Sequence, residues 1–493
     1  MSSARALFRC DASPSIGGGH VSRCLALAEA LHEVGWDVGF VVTEETIATA
    51  PALAAGGFAV RVLAKGEREL EVLRAQGTPQ ADLLVIDHYD RDRQFESRCR
   101  PFASKILAID DATGRDHDCD ILVDAGAADV AIYAGHVPSH AAVLVGPAYA
   151  LMRQAFIRHR EAALARRDGR PVQSILVCCG ATDPANCSQI VLQALASLAD
   201  HIAITTVLSS RAPHLDAVRR SLRGRMRLLL DVDADQMADL MTEADLAIGA
   251  PGVTAFERAV LGLPSILITS ADNQRGIARM MNDAKAIIDA GNFDSSLVRR
   301  LQGLLKSALE GGERRKRMAT GASALIDGRG ALRVMLALHS EKNVSGALIR
   351  LRLATTDDEA WLLWLQSQPE TRRYFHNPAI PTTAEHHAWM ERTLSNVNIM
   401  LLIVEADREP AGVVRLDRLA NTHSARSFEI SVAIDPAHHG RGIGSAGLRL
   451  VRKLIPNAIF DATVHVQNAA SKALFRAAGF TELSPELHRS IPA

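Results

Sequence analysis

Ser15-Ile16-Gly17-Gly18-Gly19-His20-Val21-Ser22-Arg23 decides how the first two thirds of this 493-residue chain are read. An apolar run, Ala6-Leu7-Phe8, precedes it. After it, Val21, Cys24, Leu25, Ala28 and Leu31 recur at helical spacing and make one apolar face. Strand, glycine turn, helix is a layout that points backbone N–H groups and a helix N-terminus at an anion. The turn ends in a histidine, the side chain best suited to act as a base near neutral pH. The competing reading is a tight turn with an incidental surface histidine, because short glycine motifs also arise by chance.

Outward from this turn, short apolar runs alternate with helical stretches: Val38–Val42, Leu83–Ile86, Ile106–Ile109, Ile121–Val123 and Ala142–Val145. A polar stretch, Arg158 to Arg170, interrupts the pattern. It restarts with Ser174–Val177, Ala203–Val207, Arg227–Leu230, Leu246–Ile248 and Ser265–Ile268. Such alternation predicts parallel α/β sheets, here as two Rossmann-like lobes, 1–160 and 161–340, with a cleft between them. A linker is expected at Ser340–Ala347. Residues 348–493 change character and suit one further domain. They read as strand Leu348–Leu353, a helical region over Asp357–Leu394, strands Met400–Glu405, Gly412–Leu416 and Phe428–Ile434, a glycine turn with a helix, strand Ala462–Val466 and helix Ala469–Ala478.

Composition narrows the function. The net charge of −1 gives no electrostatic footprint for nucleic acid. No apolar run reaches the ~18 residues needed to span a bilayer, and the first residues lack a secretory core. Seven scattered cysteines suggest free thiols in a reducing cytoplasm. No C-x-x-C or H-E-x-x-H is present, so no metal is expected.

Ligands of open α/β sheets bind beyond the carboxyl ends of the strands, and polar residues recur there: Asp11, Asp87-His88-Tyr89, Asp110-Asp111, and Asp183 after Gly180-Ala181-Thr182. Each aspartate is also an ordinary turn or N-cap residue. In the second lobe Gly249-Ala250-Pro251-Gly252-Val253-Thr254-Ala255-Phe256-Glu257 is another strand, glycine turn and helix start, able to cradle a diphosphate. Glu257 is placed to accept both ribose hydroxyls, or to close a capping box with Thr254. Asn273-Gln274 follows a strand, where amides can read sugar hydroxyls. In the last domain Glu429 lies on a strand leading to His439-Gly440-Arg441-Gly442-Ile443-Gly444-Ser445, whose N–H groups suit a pyrophosphate. His386-His387 reads as a solvated helix face in preference to a metal or catalytic pair.

Residues 1–335 resemble the PseG family, the UDP-2,4-diacetamido-2,4,6-trideoxy-β-L-altropyranose hydrolases of pseudaminic acid biosynthesis, whose GT-B fold is similar to MurG. The resemblance rests on Arg9-Cys10-Asp11, Ile16 through Arg23, Asp87-His88-Tyr89, Asp110-Asp111, Tyr149-Ala150-Leu151-Met152-Arg153, Gly180 through Pro184, Gly252 through Glu257 continued by Gly262-Leu263-Pro264, and Asn273-Gln274. It implies that His20 activates the attacking water, that Glu257 holds the uridine ribose, and that no metal is needed. The substrate contacts expected are Asp11, Gly19, Arg23, Asp87, His88, Tyr89, Gly180, Thr182, Asp183, Gly252, Thr254, Glu257, Asn273 and Gln274. Ala181 and Val253 depart from the family pattern of glycine and serine.

Residues 348–485 resemble GNAT acetyltransferases on the Arg441–Ser445 turn, Asn468-Ala469-Ala470-Ser471, Phe475 and Gly479-Phe480, and are nearest to the PseH-like amino-sugar N-acetyltransferases given the neighbouring domain and the Thr382 to Trp389 stretch. This implies acetyl-CoA bound by Arg441, Gly442, Ile443, Gly444 and Ser445, with Asn468 and Ser471 near it. His439 replaces the usual Gln or Arg, and Phe475 replaces a tyrosine that protonates the leaving thiolate. Glu429 is therefore the expected base, and the acid is unassigned. The whole is expected to be an α/β chain, a GT-B fold of two Rossmann-like lobes followed by a GNAT α+β domain. It is expected to act in the cytoplasm as a bifunctional enzyme on a UDP-linked amino sugar. Two other classes fit the sequence: a MurG-like glycosyltransferase with an appended acetyltransferase, and a non-catalytic nucleotide-sugar sensor.

Overall fold

A computed structural model of the chain describes residues 3–77, 80–112, 114–198, 200–375, 377, 379–419 and 426–492. Residues 3–332 form one compact unit and Arg333 onward a second.

The first unit holds two parallel sheets. Strands β1 (Arg5–Cys10), β2 (Asp37–Thr43), β3 (Ala59–Leu63), β4 (Leu83–Asp87), β5 (Ile106–Ile109), β6 (Ile121–Asp124) and β7 (Ala142–Val145) lie in the order β3-β2-β1-β4-β5-β6-β7. Strands β8 (Ser174–Cys178), β9 (Ala203–Leu208), β10 (Met226–Leu230), β11 (Leu246–Gly249), β12 (Ser265–Thr269) and β13 (Ile287–Asn292) lie in the order β10-β9-β8-β11-β12-β13. The central strands are apolar throughout because helices cover both faces of each sheet. This is the two-lobed GT-B arrangement expected. The two strands that sequence patterning did not reveal, β3 and β13, are both sheet edges of mixed composition.

In each sheet the strand order reverses once, between β1 and β4 and between β8 and β11. Such switch points are where ligands of open α/β sheets bind. At the first, Cys10 lies beside Asp87, and the chain runs from β1 through the glycine turn into the helix Gly19–Glu33. At the second, Cys178 lies beside Gly249, and β11 leads into the helix Val253–Val260. Gly249 admits no side chain, since a Cβ would overlap the Cys178 carbonyl and the buried Arg258 guanidinium. That guanidinium ties the switch point together, donating to Cys178 Sγ at 2.9 Å and to the Ala250 carbonyl at 2.9 Å.

The Arg158–Arg170 stretch is largely helical. Most of it lies in the helix Gln154–Ala165, and its arginines tie down the carboxyl ends of neighbouring helices. Arg160 donates to the carbonyls of Val260, Ser323 and Ile326, and Arg167 to those of Met241, Ala244 and Leu261. Orphan carbonyls and the negative end of a helix dipole make this a favourable place for a guanidinium.

The second unit is built on one eight-stranded mixed sheet: β14 (Ser340–Lys342), β15 (Leu348–Leu353), β16 (Ile399–Ala406), β17 (Glu409–Arg418), β18 (Ser427–Ile434), β19 (Ile459–Thr463), β20 (Thr481–Glu482) and β21 (Leu487–Ser490). The order is β14-β15-β16-β17-β18-β19-β21-β20. Helices Glu359–Ser367 and Thr383–Ser395 supply apolar side chains to one face, and Ile443–Leu454 covers the other. Strand β19 starts and stops three residues before the expected Ala462–Val466, because its pairing with β21 ends at Thr463.

The segment Ser340–Ala347, expected as a linker, is a hairpin of this sheet. Residues Ser340–Lys342 pair antiparallel with Leu348–Arg350. Glu341 is ion-paired with Arg449 at 2.5 Å and Lys453 at 3.3 Å, both on the helix Ile443–Leu454. A fragment starting at Leu338 should therefore outlast one starting at Leu348. Losing the strand's hydrogen bonds and the ion pair, about 1–2 kcal/mol, should lower the melting temperature by roughly 3–8 °C. Equal melting of the two fragments would show that the hairpin adds nothing to the fold.

Candidate active sites

At the first switch point Asp87 is fully buried and His20 is 5% exposed. The His20 Nδ1–H donates to Asp87 Oδ1 at 2.5 Å. Arg23, one helical turn after His20, clamps the same carboxylate at 2.5 and 2.6 Å and reaches Asp111 at 2.8 Å. Burial pushes the Asp87 carboxyl up, but the Arg23 charge, together with the hydrogen bonds from Arg23 and His20, outweighs it and holds it well below the usual carboxylate range. An ionised Asp87 can only accept, so the proton sits on Nδ1 and Nε2 is the basic nitrogen. The Tyr89 ring stands edge-on to the imidazole, with centroids 4.7 Å apart. Burial and the neighbouring Asp111 push its phenol well above the ordinary tyrosine value.

Several expected substrate contacts are held inside the protein. Asp11 accepts from Thr43 N, Thr46 Oγ1, Arg9 and His88, which locks the ends of β1 and β2. The Asp90 N–H donates to His88 Nδ1, so His88 donates its Nε2–H to Asp11 at 3.2 Å. Asp183 accepts from the N–H groups of Cys187 and Ser188, capping the helix Cys187–Ala194. Gly180 has φ +113° in the turn before it, and Thr182 is buried. Gln274 is drawn into its own turn, its Oε1 accepting from Ser270 N, while Asn273 beside it is exposed.

Two helix N-termini are left open by contrast. Neither Gly19–Glu33, capped by Gly18, nor Val253–Val260, capped by Gly252, has a side-chain cap or an acidic residue in its first turn. They face each other: a Cβ on Gly19 would lie 3.5 Å from Val253 Cγ2. A Cβ on Gly252 would meet nothing within 4 Å, so there is room beside its backbone. The Thr254–Glu257 capping box does not form. Glu257 instead bonds the Ser22 hydroxyl on the opposing helix, with Arg153 and Arg258 as nearby charges. Burial prevails over these and pushes its carboxyl up to about 7.

In the second unit, β18 and β19 pair only over Ser427–Glu429 and Ile459–Asp461. Beyond Glu429 the strands part, and β18 continues alone on that side to Ile434. Glu429 is exposed between Asp417 and Asp461 across the sheet. Both neighbours are held by bidentate arginines, Arg415 at 2.7 Å and Arg489 at 2.6 and 2.8 Å. The parted strands lead to the turn at Gly440 (φ +75°) and Gly442 (φ +73°), which N-caps the helix Ile443–Leu454. No side chain caps that helix and no acid lies in its first turn. A Cβ at Gly440 would find open space, and Arg441 is exposed. These features fit a coenzyme diphosphate. His439 braces the turn by donating to the Ile434 carbonyl at 3.0 Å, and the Ser445 hydroxyl bonds the Gly442 carbonyl.

Gly444 has a different role from the one its place in the turn suggests. A Cβ there would overlap Leu474 and crowd Ile434, so it serves close packing of the helix. Asn468 caps the helix Ala469–Ala477 by accepting from Ser471 N at 3.0 Å. Phe475 is core, packed edge-on against Phe480. His386 is buried on the Glu359 carbonyl, whereas His387 is exposed and paired with the Glu359 carboxylate.

The His20–Asp87–Arg23 cluster was not visible in local sequence. The i, i+3 spacing of His20 and Arg23 puts them on one helix face, but their shared partner lies 67 residues away.

Comparison with known proteins agrees with this division. Residues 349–481 match the acetyltransferase (GNAT) domain family. The chain is 24% identical to an uncharacterized protein of Methanocaldococcus jannaschii, over 95% of each chain. It is 26% identical to the spore coat polysaccharide biosynthesis protein SpsG of Bacillus subtilis, over 64% of this chain and 93% of that one. It is 28% identical to the UDP-2,4-diacetamido-2,4,6-trideoxy-β-L-altropyranose hydrolase of Campylobacter jejuni, over 56% of this chain and 94% of that one.

The raised Glu257 carboxyl has a measurable signature. The unfolded chain ionises near the ordinary 4.5, whereas the folded chain keeps the proton until about 7. Its contribution is thus fully present below pH 4.5 and falls as pH rises to about 7, by on the order of 3 kcal/mol. Glu257→Gln has no such proton, so its melting temperature should gain on the wild type between pH 5 and pH 8. An unchanged difference would mean that Glu257 is ionised in the folded protein. The chain thus joins, in one polypeptide, a region similar to the PseG-type UDP-sugar hydrolases and a GNAT acetyltransferase domain.

Proposed function

We propose that the chain is a bifunctional enzyme of pseudaminic acid biosynthesis. Its GNAT domain acetylates the 4-amino group of UDP-4-amino-4,6-dideoxy-N-acetyl-altrosamine with acetyl-CoA, and its GT-B unit hydrolyses the UDP-diacetamido sugar to free sugar and UDP. The observation that carries the hydrolase reading is the buried His20–Asp87 pair set between two facing, uncapped helix N-termini.

Water attacks the anomeric carbon as His20 Nε2 takes its proton. Asp87 fixes the tautomer that makes this nitrogen basic and steadies the imidazolium that forms. Arg23 keeps Asp87 ionised and in place. The departing diphosphate needs its charge met more than it needs a proton, and the N–H groups at the starts of Gly19–Glu33 and Val253–Val260 supply that. Glu257 accepts the ribose hydroxyls, with Asn273 and Thr254 as further sugar contacts.

In the GNAT domain, the parted β18 and β19 admit the pantetheine arm, and the Arg441–Ser445 turn holds the diphosphate. Acetyl-CoA supplies an activated acetyl group. Glu429 lies where the strands separate, is exposed between two aspartates already paired with arginines, and takes the amine's proton. Acetylation comes first, because a pocket that hydrogen-bonds the second acetamido group discriminates strongly against a bare amine. No transmembrane-length apolar helix occurs among the described residues, which is compatible with a cytoplasmic location.

Mass spectrometry of the products from UDP-4-amino sugar and acetyl-CoA tests this reading. The wild type should yield free diacetamido sugar and UDP without any acceptor. His20→Ala should accumulate the UDP-diacetamido sugar, with UDP release down by ~10²–10⁴. Glu429→Gln should leave the amine unconsumed yet hydrolyse pre-acetylated substrate normally. A wild type that releases UDP only when an acceptor sugar is added is a glycosyltransferase.

A further inference from the structure

The hairpin turn Asn343–Ala347 lies outside the stretch that matches the acetyltransferase family, which starts at 349. Its second side chain, Val344, is 87% exposed and has no place in the core. The turn is nonetheless closely built. Asn343 is 8% exposed, and its Oδ1 accepts from Ser345 N, Ser345 Oγ and Ala347 N at 3.0, 2.9 and 2.8 Å. The other end of the same amide reaches away from the hairpin, with Nδ2 donating to the Arg441 carbonyl at 3.1 Å.

That carbonyl belongs to the peptide that joins Arg441 to Gly442. In a planar trans peptide the carbonyl and the N–H point in opposite directions. Holding the Arg441 oxygen against Asn343 therefore aims the Gly442 N–H away from the hairpin. Val344 flanks the same glycine: a Cβ on Gly442 would lie 3.5 Å from Val344 Cγ2. Strand β14, immediately before, is fixed through Glu341 to Arg449 and Lys453 on the helix that the turn begins. The hairpin is thus anchored at both the turn and its helix.

We propose that Asn343 is a positioning residue for the acetyl-CoA diphosphate site, presetting the Gly442 N–H from the opposite side of the peptide, with Val344 beside Gly442 at the edge of that site. The proposal rests on the reading of Arg441–Ser445 as the diphosphate turn. A preset donor needs no reorganisation on binding, so its contribution goes into coenzyme affinity and not into the acetyl transfer itself.

The test uses the full chain and calorimetric titration with CoA, alongside turnover of acetyl-CoA and of S-acetylpantetheine, which lacks the diphosphate. Val344 is exposed, so charge can be placed there without disturbing the fold. Val344→Asp should weaken CoA binding about three- to tenfold, whereas Val344→Lys should leave it equal or up to about threefold tighter. Neither should change S-acetylpantetheine turnover. Asn343→Ala should raise the CoA Kd and the acetyl-CoA KM about tenfold while kcat stays within about twofold. Equal effects of Asp and Lys at 344, or a fall in kcat for both acetyl donors in Asn343→Ala, would overturn the proposal and leave the hairpin a purely structural element. If Asn343→Ala does not fold, the opposed Val344 variants decide the matter. A wild type that binds no CoA would instead remove the underlying reading of the turn.

Discussion

A carboxylate with no exposed surface stays ionised only where fixed charges and donors surround it, and the first active site depends on one such group. Asp87 closes β4 at the point where the strand order of the first sheet reverses. Its two oxygens bind His20 and Arg23, which stand one turn apart on the helix that follows β1. The pair of contacts fixes the rotation of that helix relative to β4 and the tautomer of the histidine at once. Removing the carboxylate would leave a buried guanidinium with one acidic partner, Asp111, so the proposed catalysis and the folding draw on the same interaction.

The two lobes treat the opposite ends of their helices differently. At the rear, arginines close the carboxyl ends: Arg160, Arg167 and Arg315 donate mainly to backbone carbonyls rather than to acids. Toward the cleft, the starts of Gly19–Glu33 and Val253–Val260 are bare. A third start, Cys187–Ala194, is already filled by Asp183. Carboxyl ends are thus closed by arginines, whereas these two starts keep their N–H groups free of side-chain caps. Such N–H groups can meet an anion without a surface excess of basic residues.

Most of the parallel strands and the glycine turns could be read from sequence, because buried central strands are continuous apolar runs and glycines mark the turns. What sequence missed shares one physical cause: it depends on partners far along the chain. Strands β3 and β13 are edges, whose single neighbour imposes little pattern. Thr254 and Glu257 fit a local capping box, yet Glu257 faces Ser22 on the other lobe. The linker-like composition of Ser340–Ala347 conceals a turn held by Asn343. Asp11 and Asp183 stand at strand ends as a ligand-binding residue does, and only the fold shows their oxygens already engaged.

Glu29 has a mechanical consequence. It sits near the end of the helix Gly19–Glu33, and it grips the start of Gln154–Ala165, accepting from Arg153 at 2.7 Å and from Gln154 N at 3.0 Å. Glu29 lies nine residues beyond His20, so the two are ~13.5 Å apart along the helix axis. The helix is thus held at both ends, to β4 through Asp87 at its start and to Arg153 and Gln154 near its close. It is a strut, and the place of the proposed base is set from both sides.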